Sequence, residues 1–324
     1  MTKCFSFTAS RDWCYRYTFA HAGLKSISTD LGDGTTIHCW VPKTIKPSKP
    51  NLLLIHGFGA NAMWQWSDLL RPFVPRFNLY VPDLLFFGQS FTTRPERSES
   101  FQALCLMKLM EAHQVQKMSF IGVSYGGFVG YSLAAQFPEA VEKAVLCCAG
   151  VCLEEKDLRD GLFRVSDLDE AASILLPQTP EKLRTLVGMS FVKPAKTMPS
   201  WFLRDFIEVM CTEYIEEKRE LLREILKDRR LSNLPKITQP TLIVWGEQDQ
   251  IFPLELGHRL KRYHLGENAE LVVIKNAGHA VNLEKIKEFY KYLKAFLIDN
   301  LPVNDQHSSH HPSNHENNNN HDHH

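Results

Sequence analysis

Three side chains of this chain, Ser124, Asp249 and His279, are of the types that together perform acyl transfer. A serine hydroxyl is a weak nucleophile at neutral pH and needs a base to take its proton. The base in turn needs an acceptor that fixes its tautomer and stabilises the imidazolium. Ser124 stands in Gly122-Val123-Ser124-Tyr125-Gly126, a Gly-x-Ser-x-Gly pattern. Asp249 closes Gly246-Glu247-Gln248-Asp249, and His279 closes Lys275-Asn276-Ala277-Gly278-His279.

The elements around them place each at the end of a strand. Apolar residues 118–123 predict a short buried strand, and residues 128–137 an amphipathic helix stopped by Pro138. A serine between them stands on a sharp turn, and the flanking glycines remove the Cβ atoms that would collide there. Strand-like residues 240–245 run into the Asp249 loop, and residues 269–274 into the His279 loop. Upstream, strand-like residues 51–55 end in His56-Gly57-Phe58-Gly59. The oxyanion of a tetrahedral intermediate needs two aimed backbone N–H donors, which Phe58 and Tyr125 can supply. His56 reads as a brace of its turn rather than a base. Residues 78–81 predict another strand, leading to Asp83, which stays open as a competing acid.

With His56-Gly57-Phe58-Gly59, Asp83 with Phe87-Gly88-Gln89-Ser90, Gly122 to Gly127, Gly246 to Asp249 and Gly278-His279, the chain resembles the α/β-hydrolase superfamily over most of residues 25–300. Each piece is weak singly, and jointly they are specific. The resemblance implies a mostly parallel central sheet flanked by helices, with an inserted helical cap. It also implies a triad in the order Ser124, Asp249, His279, a bracing role for Asp83, and no metal or organic cofactor. Within the superfamily the chain is similar to esterases, monoacylglycerol-lipase-like enzymes and carbon-carbon bond hydrolases with a helical cap. A serine at position 124 departs from the relatives that carry an aspartate nucleophile. The bulky Phe58 departs from a His-Gly-Gly-Gly oxyanion stretch and implies a narrower mouth.

The chain has 324 residues, 44% hydrophobic and 23% charged, which is ample for one α/β core with an insertion. Lys plus Arg and Asp plus Glu are both 37, so bulk charge steers nothing toward nucleic acid. The eight cysteines include no Cys-x-x-Cys pair and fall largely at apolar positions, and the first residues lack the apolar core of a signal peptide. A reducing, cytoplasmic setting is expected. The apolar run 144–153 is too short to cross a bilayer and reads as a buried strand.

Residues 1–24 hold Phe5, Phe7, Trp13, Tyr15, Tyr17 and Phe19 with no clean helical or strand period. They read as an extra element packed on the body, with peripheral membrane contact as the alternative. Residues 25–31 and 35–41, joined by Gly32-Asp33-Gly34, predict a hairpin that starts the core, which spans 25–150 and 236–300. Residues 151–235 are too long for a compact connection and mostly helical in pattern, so they predict a cap, with helices at 180–187 and within 200–227. Leu162, Phe163, Leu175, Leu176, Leu186, Met189, Phe191, Met198, Trp201, Phe202 and Met210 are available to its core or to a pocket. So apolar a cap implies a small-molecule apolar or amphipathic substrate rather than a sugar phosphate, and the resemblance implies that it is an ester. Residues 301–324, rich in His and Asn and almost without apolar groups, are expected to be disordered.

Ester hydrolysis is therefore the expected activity. One alternative is a carbon-carbon bond hydrolase of a dienoic or diketo acid, with Arg159, Arg164 or Arg204 holding the carboxylate. The other is a small-molecule receptor on the same fold.

Overall fold

The computed structural model describes residues 5–59, 61–195 and 197–299. The tail expected to be disordered, residues 301–324, lies outside the described residues. Nine strands form one sheet among them: β1 Leu24–Gly32, β2 Thr35–Pro42, β3 Asn51–Ile55, β4 Asn78–Pro82, β5 Phe91–Thr92, β6 Met118–Val123, β7 Val141–Cys147, β8 Thr241–Gly246 and β9 Ala269–Ile274. Their order is β1-β2-β4-β3-β6-β7-β8-β9, with β5 paired to β2. The β1/β2 hairpin is antiparallel and joins β4 antiparallel, while every pair from β4 to β9 is parallel.

A parallel sheet covered on both faces needs strands that are apolar throughout. β4, β6 and β8 are buried at every position. The chain runs outward from β3 to β4 and then returns to the other side of β3 as β6, so the winding reverses between β3 and β6. Crevices in open α/β sheets form at such a reversal, beyond the carboxyl ends of the strands. Here that position holds the residues after Ile55 and after Val123.

The first helix, α1, is Phe7–His21. The remaining helices are α2 Ala62–Trp66, α3 Leu70–Phe73, α4 Glu99–Ala112, α5 Tyr125–Gln136, α6 Glu155–Arg159, α7 Leu168–Leu175, α8 Pro180–Ser190, α9 Ser200–Met210, α10 Ile215–Leu226, α11 Glu255–Arg259, α12 Val281–Glu284 and α13 Ile286–Leu297. Helices α6 to α10 lie in the insertion between β7 and β8. Arg259 on α11 forks onto Asp157 of α6 at 2.7 and 3.1 Å, and Arg229 reaches Glu99 of α4 at 2.6 Å, so the insertion is tied to the core by charge-assisted bonds.

Two sequence expectations need correcting. Residues 7–21 are helical although they show no helical period. Ser6 caps the helix by accepting from the Ala9 amide, and only a narrow line of side chains, including Thr8 and Phe19, is buried. The aromatic residues Phe7, Trp13 and Tyr17 remain exposed, which erases the pattern. The run 144–153 is a strand only to Cys147. Cys148 takes a positive φ of 47°, and the chain turns away while still buried.

Candidate active site

Ser124 sits between β6 and α5 with φ 53° and ψ −121°, a strained conformation for a residue bearing a Cβ. The turn is held by Ser124 N–H donating to the Cys147 carbonyl and Gly127 N–H donating to the Ser124 carbonyl, both at 2.8 Å. Space is as tight as the backbone. A Cβ on Gly122 would lie 2.5 Å from the Gly126 carbonyl oxygen, and one on Gly126 would strike the Ile55 carbonyl.

His279 follows β9 and Asp249 follows β8. Their side chains meet at 2.8 Å between His279 Nδ1 and Asp249 Oδ2. A carboxylate only accepts, so Nδ1 carries the proton and Nε2 is left with its lone pair. The other carboxylate oxygen, Oδ1, accepts from the Ile251 and Phe252 amides at 2.8 and 2.9 Å, which fixes the acid in one rotamer. Glu284 braces the histidine loop. It accepts from the Gly278 amide at 2.9 Å and from Val192 at 3.0 Å, while Ala280 N–H donates to Ser190 at 2.9 Å.

Ser124 and His279 line one cleft together with Phe58, Trp64, Gln65, Leu186 and Phe206. Among the described residues lining it, no Asp, Glu, Lys or Arg occurs. The rings of Phe58 and Tyr125 pack at 5.0 Å, which brings the two candidate oxyanion turns together. Gln65 Oε1 accepts from the Gly57 amide at 3.3 Å and stiffens the first of those turns.

His56 is a brace. Its Nε2 accepts from the Leu84 amide at 2.9 Å, so Nδ1 donates to the Gly57 carbonyl at 2.7 Å. Burial lowers its pKa below the ordinary histidine value, against the opposing pull of Asp83. Asp83 is engaged elsewhere. It accepts from His38 Nδ1 at 2.8 Å and from the Ala62 amide at 2.9 Å. Burial works to raise its pKa, but the hydrogen bond and charge of His38 bring it below the usual carboxyl value. His38 Nε2 also hydrogen-bonds the Ser26 hydroxyl at 2.7 Å, making a second Ser-His-Asp chain. Ser26 lies within β1 on regular strand backbone, so it lacks the positive-φ turn that holds Ser124.

Cys148, Asp249 and His279 place potential metal-ligand atoms within 4.8 Å of one another. Burial raises the Cys148 thiol well above its ordinary pKa, so it stays protonated, and the carboxylate and imidazole are committed to each other. The three arginines of the cap expectation do not reach the cleft: Arg164 lines a separate cavity, and Arg159 and Arg204 are exposed. Of the apolar residues expected in a pocket, Leu186 and Phe191 line the cleft, while Trp201 and Phe202 lie on the surface. Trp64, Gln65, Ser190, Phe206 and Glu284 belong to no motif, and only the fold brings them here.

A profile described as the alpha/beta hydrolase fold matches residues 50–286, a span that contains Ser124, Asp249 and His279. The chain belongs to this family. This α/β hydrolase is similar to the mouse protein "Monoacylglycerol lipase ABHD6", being 29% identical over 264 residues that cover 77% of this chain and 76% of that one. Among solved structures it resembles one described as a membrane phospholipase A and bacterial virulence factor, with TM-score 0.69 and 26% identity, covering 90% of each chain. It also shares the fold of an esterase from Exiguobacterium antarcticum, with TM-score 0.67 and 21% identity, covering 84% of this chain and 99% of that one.

Proposed function

We propose that this ester-bond hydrolase works through an acyl-enzyme on Ser124 and acts on neutral esters with an apolar acyl chain, the class to which monoacylglycerols belong. One observation carries the reading. The cleft joins a strained, half-buried serine to a histidine oriented by a buried carboxylate, and its described walls hold no charged side chain besides His279. A free acid substrate would call for a cation in those walls, whereas a neutral ester does not.

In this mechanism His279 Nε2 takes the Ser124 proton as the oxygen attacks the ester carbonyl. Asp249 stabilises the imidazolium that results. The Phe58 and Tyr125 amides hold the developing oxyanion; Tyr125 N–H opens α5, so it lacks an intrahelical acceptor. His279 then protonates the leaving alcohol, and water repeats the sequence on the acyl-enzyme. The helices of residues 151–235 act as the cap, with α8 and α9 closing one side of the cleft.

The aromatic surface of α1 and α9 is assigned to lipid contact. Phe5, Phe7, Trp201 and Phe202 pack ring to ring at 4.8 to 6.5 Å while staying 37 to 63% exposed. Phe206, one turn beyond Phe202 on the same helix, lines the cleft, so an ester drawn from a lipid surface has a short apolar path inward. The seven free cysteines among the described residues support a reducing, cytoplasmic setting.

The test is hydrolysis of p-nitrophenyl and monoacylglycerol esters by wild-type protein beside Ser124→Ala. Turnover that persists in the variant would overturn the assignment. Cosedimentation with phosphatidylcholine vesicles, compared between wild type and a Phe7→Ser, Trp201→Ser double variant, tests the lipid face; equal binding rejects it.

A further inference from the structure

A second, partly open pocket is lined by α7 and α10 and by Phe252, whose ring lies beside His279. Its wall is apolar almost throughout and includes Phe163, Leu168, Ile174, Leu175, Leu222 and Phe252. Cavities lined by such residues stay dry and bind apolar guests.

Two neighbouring pairs place this chamber beside the Ser124 cleft. Met189 faces the chamber, and its neighbour Ser190 faces the cleft. Phe252 faces the chamber, and its ring lies 5.7 Å from the ring of His279, which faces the cleft. The backbone of Phe252 is pinned, because its N–H donates to Asp249 and its carbonyl accepts from Trp245 Nε1 at 2.9 Å. Its ring packs against Phe128 at 5.6 Å and Phe163 at 6.3 Å, so the chamber joins the cleft only when those ring contacts yield.

We propose that this chamber receives the distal part of a long unbranched acyl chain, with Phe252 as the gate between it and the cleft. The inference rests on the ester-hydrolase reading and adds the part of the substrate that decides chain-length preference. Arg164, itself exposed, and Gln250 are the polar residues of a lining otherwise apolar, so the chamber suits a hydrocarbon rather than an anion. Each methylene that reaches it should raise kcat/KM about fourfold until the chamber is full.

The experiment measures kcat/KM of the full chain on p-nitrophenyl acetate and p-nitrophenyl laurate. Ala171→Phe and Ile174→Phe fill the chamber from α7, and Leu222→Ala enlarges it from α10. The filling variants should lose about tenfold or more on laurate while acetate stays within about twofold, and Leu222→Ala should move the optimum to longer chains. An unchanged laurate-to-acetate ratio in whichever of the three variants keep the wild-type melting temperature would overturn the proposal. Failure of the underlying reading looks different: acetate hydrolysis by the wild type would then not depend on Ser124.

Discussion

Asp12 Oδ1 accepts the indole N–H of Trp64 at 3.1 Å, so a carboxylate on the N-terminal helix holds one wall of the Ser124 cleft. The same oxygen takes Asn61 Nδ2 at 3.3 Å, and Asn61 caps α2, the helix that carries Trp64. Helix α1 is therefore joined to the wall of the cleft as well as to the surface.

Asp12→Ala should raise KM several-fold and leave kcat within about twofold, because it frees a wall and no reacting group. Loss of a hydrogen bond to a charged group should also lower stability by about 1.5 to 3 kcal/mol, measurable by urea unfolding. A fall in kcat at constant KM would contradict this account.

Backbone strain at Ser124 predicts an unusual ordering of variants. Both Ser124→Ala and Ser124→Gly should lower kcat by about four to six orders of magnitude. Glycine relieves the positive φ while alanine retains it, so the glycine variant should be the more stable by about 1 kcal/mol despite its looser unfolded chain. Thermal melting of the pair decides this, and equal stability would mean the elbow stores no strain.

Asp249→Asn keeps an oxygen for the Ile251 and Phe252 amides but can present an N–H to His279 Nδ1. The ring is then free to hold its proton on Nε2, the wrong nitrogen for a base. We expect kcat to fall by about 10⁴ with the fold unchanged. Circular dichroism beside steady-state kinetics checks both halves of the statement.

Acid should destabilise the fold before it dissolves the charge pairs at the surface. His56 has a folded pKa below its unfolded value of 6.5, so the unfolded chain binds the extra proton first. Its contribution is complete above that pH and is lost as the pH falls toward the folded pKa. Asp83, depressed below 3.8, adds a loss of the same sign at lower pH. Unfolding free energy should therefore decline steadily from neutral pH downward, and His56→Gln should flatten the upper part of that decline. A rise on acidification would refute it.

The strands and their loops were legible because a buried parallel strand is an apolar run with a sharp end, and Ser124, Asp249 and His279 each stand at such an end. Helix α1 was not legible, since its aromatic side chains point outward and a pattern set by burial disappears when the apolar face is the exposed one. The strand after Val141 was read too long because residues 149–153 are buried outside the strand ladder. Trp64, Gln65 and Phe206 come from two segments far apart in sequence and meet only through the winding of the sheet. No local signal marks them.

The insertion between β7 and β8 also divides the chemistry in time. Everything that shapes the serine turn precedes it, while the proposed acid Asp249 and base His279 follow it, just after the last two strands. A chain folding from its amino end can complete β3, β6 and the elbow and still hold an unactivated hydroxyl. Only when β8 docks against β7, and β9 against β8, do the carboxylate and imidazole arrive, together and on one edge. Such parallel, long-range pairing is the slow part of folding. Fraying of that edge in the finished protein would silence the nucleophile without disturbing it.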